Sequence, residues 1–332
     1  MLTPAFFQPV SVSLASPPRL FIVVDTEEEF DWSKPFAREN TSVTAIQEAG
    51  RLQAVVKPYG LKPTYVVDYP VAATAASAAK LAGYAHDDEC RIGAHLHPWV
   101  TPPFDEPLTP AMSFGCNLGI GIERAKVEAL TTAILEHMNV SPKVFKAGRY
   151  GFGASTATVL EELDYDVDAS VVPHMDFTSE QGPSFRGFSA QPGVFGRAKR
   201  LLELPCTTGF VGAARRMGDA MHRAASAEWL KPLRAVGILA RSGLLNKVML
   251  SPEGNSFEEM KALTRTLHAD GVRTFALTFH SPSLKPGCTR YVTNASERDA
   301  FVATIDRYCD FFFAELGGRP ATAEQLFGEL VH

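Results

Sequence analysis

Short apolar runs recur along this chain, separated by segments with helical spacing of their apolar positions. Arg19–Val24 (RLFIVV), Pro63–Val67 (PTYVV), Arg91–His95, Lys143–Ala147 (KVFKA), Val167–Val172 and Thr274–Thr278 (TFALT) read as buried strands of a parallel sheet. Leu201–Leu204 (LLEL) and Val248–Leu250 are shorter candidates. Between them, Ser42–Tyr59 carries Val43, Ile46, Ala49, Leu52, Val55 and Val56 at helical spacing, and Ile122–Met138 places Leu130, Ile134 and Met138 at steps of four. Val71–Leu81, Ser155–Leu163 with Ser155 as its N-cap, Ser256–Ala269 and the closing Ser296–Glu315 read as further helices.

Strands alternating with helices imply a parallel sheet with helical crossovers. Roughly seven such units point to barrel-like closure. The competing fold, an open doubly wound sheet, usually carries a glycine-rich phosphate loop after its first strand. Here that place holds Asp25-Thr26-Glu27-Glu28-Glu29, which repels anions. The expected architecture is one α/β domain over residues 19–315, with an N-terminal extension at 1–18 and a C-terminal tail at 316–332. Ala213–Leu245, helical and basic in places, reads as an insertion suited to self-association or substrate reach.

Composition narrows the partners. A net charge of −5 and the lack of a basic stripe argue against nucleic acid. No run approaches the ~20 apolar residues that a membrane helix needs, and Met1–Pro18 lacks the basic start and apolar core of a signal peptide. Five scattered cysteines without a CxxC spacing suggest reduced thiols in the cytoplasm.

The chemistry concentrates at strand ends. In a parallel barrel those ends converge on one rim, where catalytic residues sit. Asp25, His95, Arg149 and His280 each follow or close an expected strand. Asp25 and Glu27 are two apart, as are His95 and His97, so each pair can face one point from extended chain. Two histidines and a carboxylate suit a divalent ion such as Zn²⁺, Fe²⁺ or Co²⁺, leaving open positions. The second carboxylate is then free to activate water.

These residues resemble the motifs of the polysaccharide deacetylase family, carbohydrate esterase family 4. VVDTEEEF is similar to its first motif, IGAHLHPW to its second, and Lys146-Ala147-Gly148-Arg149-Tyr150-Gly151 to its third. Tyr165-Asp166-Val167-Asp168-Ala169-Ser170 is loosely similar to the fourth, and Leu277-Thr278-Phe279-His280 to the fifth. All five occur in order across about residues 19–315. The resemblance implies a distorted (β/α)7 barrel and a divalent metal, zinc first, with iron, cobalt and nickel as alternatives. It implies Asp25 as base, Glu27, His95 and His97 as ligands, Arg149 as the cation orienting the base, and His280 as general acid. It departs in lacking Asp-Asp-Gly and in the short histidine spacing. The roles of Asp25 and Glu27 could be reversed, and Glu28 or Glu29 could be the ligand. The departures are more like a cytoplasmic branch associated with surface-polysaccharide clusters than like secreted deacetylases.

The implied activity is removal of an acetyl group, N-linked first, from a sugar or polysaccharide precursor. Trp99, Tyr150 and Asn117 are candidate substrate contacts, and Thr101–Asn117 reads as a loop over the rim. Two other readings stand beside this one: hydrolysis of another non-peptide C–N amide on the same fold, and a catalytically silent glycan-binding protein.

Overall fold

Seven parallel strands form the body of the molecule in this computed structural model, which describes residues 2–31, 33–227 and 234–331. They are β1 (Arg19–Thr26), β2 (Thr64–Val67), β3 (Arg91–Leu96), β4 (Val144–Ala147), β5 (Val167–Asp168), β6 (Leu201–Glu203) and β7 (Thr274–His280). Their spatial order is β7-β1-β2-β3-β4-β5-β6. Among the described residues no ladder joins β6 to β7, so the sheet is a curled half-barrel. The interval between these edges is bridged by single bonds. Leu250 N–H donates to the Thr207 carbonyl, Thr278 N–H to the Leu250 carbonyl, and Ala276 N–H to Thr207 Oγ1. This is the expected α/β architecture, a distorted barrel around a parallel core.

Period-two alternation divides each strand between two environments. Leu20, Ile22 and Val24, then Ile92, Ala94 and Leu96, then Phe275, Leu277 and Phe279 pack with the surrounding helices in the main core. The alternate positions, Phe21, Val23, Val66, Val144, Val167, Leu202 and Ala276, form a second apolar cluster on the concave side. Ala323 and Leu326 of helix Ala323–Leu330 plug it from below.

The segments expected as terminal extension and tail build part of this fold. Gln8–Pro9 pairs antiparallel with Gly193–Phe195, which pairs antiparallel with β6, and Arg319–Pro320 lies parallel against β1. Short polar or Pro-containing strands of two or three residues carry too little periodicity to be read from sequence. The expected insertion joins the two strands of a hairpin, Thr208–Val211 and Asn246–Met249. It contributes helices Gly218–Ala225 and Ala235–Arg241, while residues 228–233 of it lie outside the described residues.

Local signals account for the boundaries that differ. Helix Ala154–Glu162 is capped by Gly153, with Thr156 Oγ1 accepting the Gly153 N–H at 3.0 Å, so Ser155 lies inside the first turn rather than at the cap. β5 stops at Asp168 because its carboxylate accepts the Ser170 N–H (3.1 Å) and hydroxyl (2.6 Å), turning the chain. Ser256 does cap helix Phe257–Ala269, in a reciprocal box with Glu259.

Candidate active site

The concave face changes character at its upper end. On β1 the series Phe21, Val23 continues to Asp25, on β3 Gly93 continues to His95, on β4 Val144 continues to Lys146, and on β7 Ala276 continues to Thr278 and His280. Strand register then sets His280 beside Asp25 and Lys146 beside His95. Gly93 is required below His95, because a Cβ there would stand 2.6 Å from the Val144 carbonyl oxygen.

Glu27, His95 and His97 come together and are all buried. Glu27 Oε2 lies 3.5 Å from His95 Nε2 and 3.3 Å from His97 Nε2. The opposite ring nitrogens are engaged. His95 Nδ1 is 2.9 Å from the Lys146 carbonyl, and His97 Nδ1 is 2.7 Å from Glu28 Oε2. A carbonyl can only accept, so His95 donates from Nδ1 to Lys146 and turns Nε2 toward Glu27. This is a donor set for a divalent cation: two imidazole nitrogens and a carboxylate oxygen, with outer hydrogen bonds orienting the rings. The residues therefore fit the metal that the sequence patterns imply.

The outer layer is extensive. Trp99 Nε1 donates to Glu28 Oε1 at 2.7 Å, and its ring stacks on His97 at 4.3 Å. Glu28 N–H donates to Asp68 Oδ2 (2.8 Å), whose other oxygen caps helix Tyr69–Ala73 through Val71 N–H. Burial, then the neighbouring Glu28 carboxyl, raises the Asp68 pKa well above the usual range, and burial raises Glu28 to about 7. Gly148 leaves room for His97, since a Cβ there would lie 2.4 Å from the ring Cδ2. Among the acidic residues after β1, Glu27 faces the two Nε2 atoms, Glu28 faces the far side of His97, and Glu29 binds Ser42, Thr44 and the Ala45 N–H.

Beside the triad, Asp25 accepts Lys146 Nζ on both oxygens, at 2.6 and 2.8 Å. Burial disfavours its charge, yet Lys146, then His95 and His280, hold the carboxyl below its ordinary range. His280 Nε2 is 3.7 Å from Asp25 Oδ2, and its Nδ1 binds Glu253 Oε2 at 2.6 Å. Glu253 also accepts the Ser283 hydroxyl and the His280 N–H. Burial opposes the imidazolium, but Glu253, then Glu27 and Asp25, raise its pKa well above the histidine range.

Arg149 does not meet Asp25. Its guanidinium binds the Ser113 hydroxyl and Glu180 and lies over the Phe114 ring at 4.0 Å. Arg149 and Tyr150 both have left-handed backbone (φ 54° and 59°), which turns the chain out of β4 toward the rim. Tyr150 lines the cleft and stacks on Phe177 at 5.5 Å. Trp99 is buried behind His97 instead of facing the cleft. Asn117 Nδ2 ties the Ala111 and Gln181 carbonyls together. The cleft itself has about 960 Å³ and is lined by Asp25, Glu27, His95, His97 and His280, with Tyr150 and Tyr291 among its walls.

The side-chain roles of Lys146 and Glu253 emerge only here, and Glu28, an alternative ligand from the sequence, binds His97 Nδ1 and Trp99 Nε1 instead of facing the two Nε2 atoms. Lys146 did leave a trace, as a charge inside an otherwise apolar strand on the face that continues from Val144. Glu253 follows a short strand in a Ser-Pro-Glu-Gly turn and resembles any solvated turn acid.

No protein-family model and no curated protein matches the chain. Solved structures do. A Mycobacterium smegmatis protein provisionally assigned as a polysaccharide deacetylase aligns with TM-score 0.55 and 16% identity, over 100% of this chain and 95% of that one. A 4-alpha-glucanotransferase from Thermococcus litoralis aligns at TM-score 0.49 and 10% identity, over 95% of this chain and 41% of that one. The chitin deacetylase of the fungal pathogen Colletotrichum lindemuthianum aligns at 0.43 and 10%, over 95% and 88%. The last two are too distant to bear on chemistry. The first establishes that this chain shares the fold of that deacetylase-assigned structure.

Proposed function

We propose that the protein is a metal-dependent deacetylase that removes an acetyl group, N-linked in the first instance, from a sugar or polysaccharide precursor. The observation that carries the reading is the convergence of Glu27, His95 and His97 with Asp25 and His280 on one cleft at the C-terminal strand ends. Glu27 Oε2, His95 Nε2 and His97 Nε2 would hold the cation. When bound, zinc or a similar divalent ion supplies Lewis-acid polarisation and acidifies water.

The protein side of the reaction follows from the hydrogen bonds. Asp25, ionised and held on both oxygens, accepts the proton of the attacking water. His280 is protonated, and with Nδ1–H committed to Glu253 it presents Nε2–H as the acid for the departing sugar nitrogen. Tyr150 backed by Phe177 offers a flat apolar face on which a sugar ring can stack. A cleft of about 960 Å³ has room for a sugar ring. The five free cysteines support a reducing, cytoplasmic setting.

Metal analysis of the wild type beside the His95→Ala/His97→Ala double variant, with acetate release measured on a panel of acetylated sugars, tests the proposal. About one ion per chain, lost in the variant, together with acetate release would support it. A metal-loaded wild type that releases acetate from none of the panel would remove the deacetylase assignment.

A further inference from the structure

We propose that Lys146, on the strand, is the residue that positions the base, and that the arginine after the strand is released to build the rim. The inference rests on reading Asp25 as the base. An ammonium group has three N–H donors and no acceptor. Lys146 Nζ has three partners to match: Asp25 Oδ1 at 2.6 Å, Asp25 Oδ2 at 2.8 Å and Thr278 Oγ1 at 3.1 Å. Its side chain is 1% exposed, so no water replaces these bonds.

The same residue acts a second time through its main chain, where its carbonyl accepts the Nδ1 proton of His95. One residue of β4 thus holds the base with its side chain and a proposed metal-ligand histidine with its backbone, and sets the spacing between them. A point charge shared by both Asp25 oxygens also restrains that carboxylate from turning to the cation seat beside it. Arg149 is directed away by its left-handed backbone. It joins Ser113, Glu180 and the faces of Phe114 and Phe36, three separate loops around the cleft.

The test compares Lys146→Met, Lys146→Arg, Asp25→Asn and the Lys146→Met/Asp25→Asn double variant, each loaded with cobalt(II). Expected for Lys146→Met is a kcat loss of about 10²-fold or more, the scale of a misplaced catalytic group, with KM nearly unchanged. Its cobalt absorption spectrum should shift as the freed Asp25 reaches the ion. Lys146→Arg should restore much of both. In the Asp25→Asn background, Lys146→Met should cost no further turnover and leave the spectrum as in Asp25→Asn alone. That double variant also removes the buried carboxylate charge that Lys146→Met leaves unpaired, so it keeps the test readable if the single variant folds poorly. A wild-type cobalt spectrum in Lys146→Met, or an added loss of turnover in the Asp25→Asn background, overturns the proposal. If the wild type deacetylates nothing, the enzymatic reading fails, and the cobalt spectra still decide the role of Lys146.

Discussion

The lower and upper halves of the concave face are built from the same strands and the same alternate positions, yet they do opposite things. Below, Phe21, Val23, Val66, Val144, Val167, Leu202 and Ala276 close into a dry cluster against helix Ala323–Leu330. Above, Asp25, His95, Lys146, Thr278 and His280 continue those rows as ionisable or hydroxyl side chains. Alternation chooses the face, and distance along the strand chooses between packing and chemistry. The upper groups tolerate burial because each has a partner of opposite charge or a hydrogen bond. Isolated charges there would not remain ionised.

Substitutions should separate the two halves. The largest effect is expected from Asp25→Asn, which should lower kcat by about 10³-fold or more while metal content stays at wild type, since a general base alone contributes about 10²–10⁴. Retained turnover would place the base elsewhere. The pH profile sharpens the same half. The acid role proposed for His280 requires its protonated form, and its pKa is raised by Glu253, Glu27 and Asp25 against the effect of burial. Activity should therefore persist through neutral pH and fall only as pH rises past that elevated value. A falling limb at the ordinary histidine value would contradict the Glu253 dyad.

In the lower half, Leu202→Ala should cost about 2–5 kcal/mol of stability, measured by denaturant unfolding, and leave metal stoichiometry intact. Loss of metal at equal folding would show that the halves are coupled. Glu28→Gln should weaken metal affinity by about 10–100-fold through His97, measured by competition with a chelator. Unchanged affinity would demote the outer layer. The smallest effect is expected from Trp99→Phe, which removes one hydrogen bond to a buried carboxylate and should cost about 1–3 kcal/mol of stability. An effect on substrate KM instead would return Trp99 to the cleft wall.

The strands of the barrel were legible because each is a short apolar run next to a segment of different period, as in RLFIVV and TFALT. The grouping of His95 with His97 was legible because residues two apart in extended chain share a face. Glu253 was not, because a glutamate in a turn becomes a histidine partner only when another strand arrives beside it. Trp99 misled for a related reason: an aromatic residue next to a candidate site can face the substrate or back the ligand, and spacing does not distinguish the two. Arg149 followed the right strand, but two successive left-handed residues redirected its side chain toward Ser113 and Glu180.

What the residues alone determined is therefore the set of strands, the face each side chain takes and the chemical types gathered at the strand ends, because these depend on local period and connectivity. Which cation holds Asp25, which of the three consecutive glutamates faces the histidines, and which acid charges His280 were decided only by the tertiary structure. Those choices depend on contacts between residues far apart in sequence: 121 positions between Asp25 and Lys146, 69 between Glu28 and His97. Their energies arise only when burial removes the water that would otherwise satisfy each group.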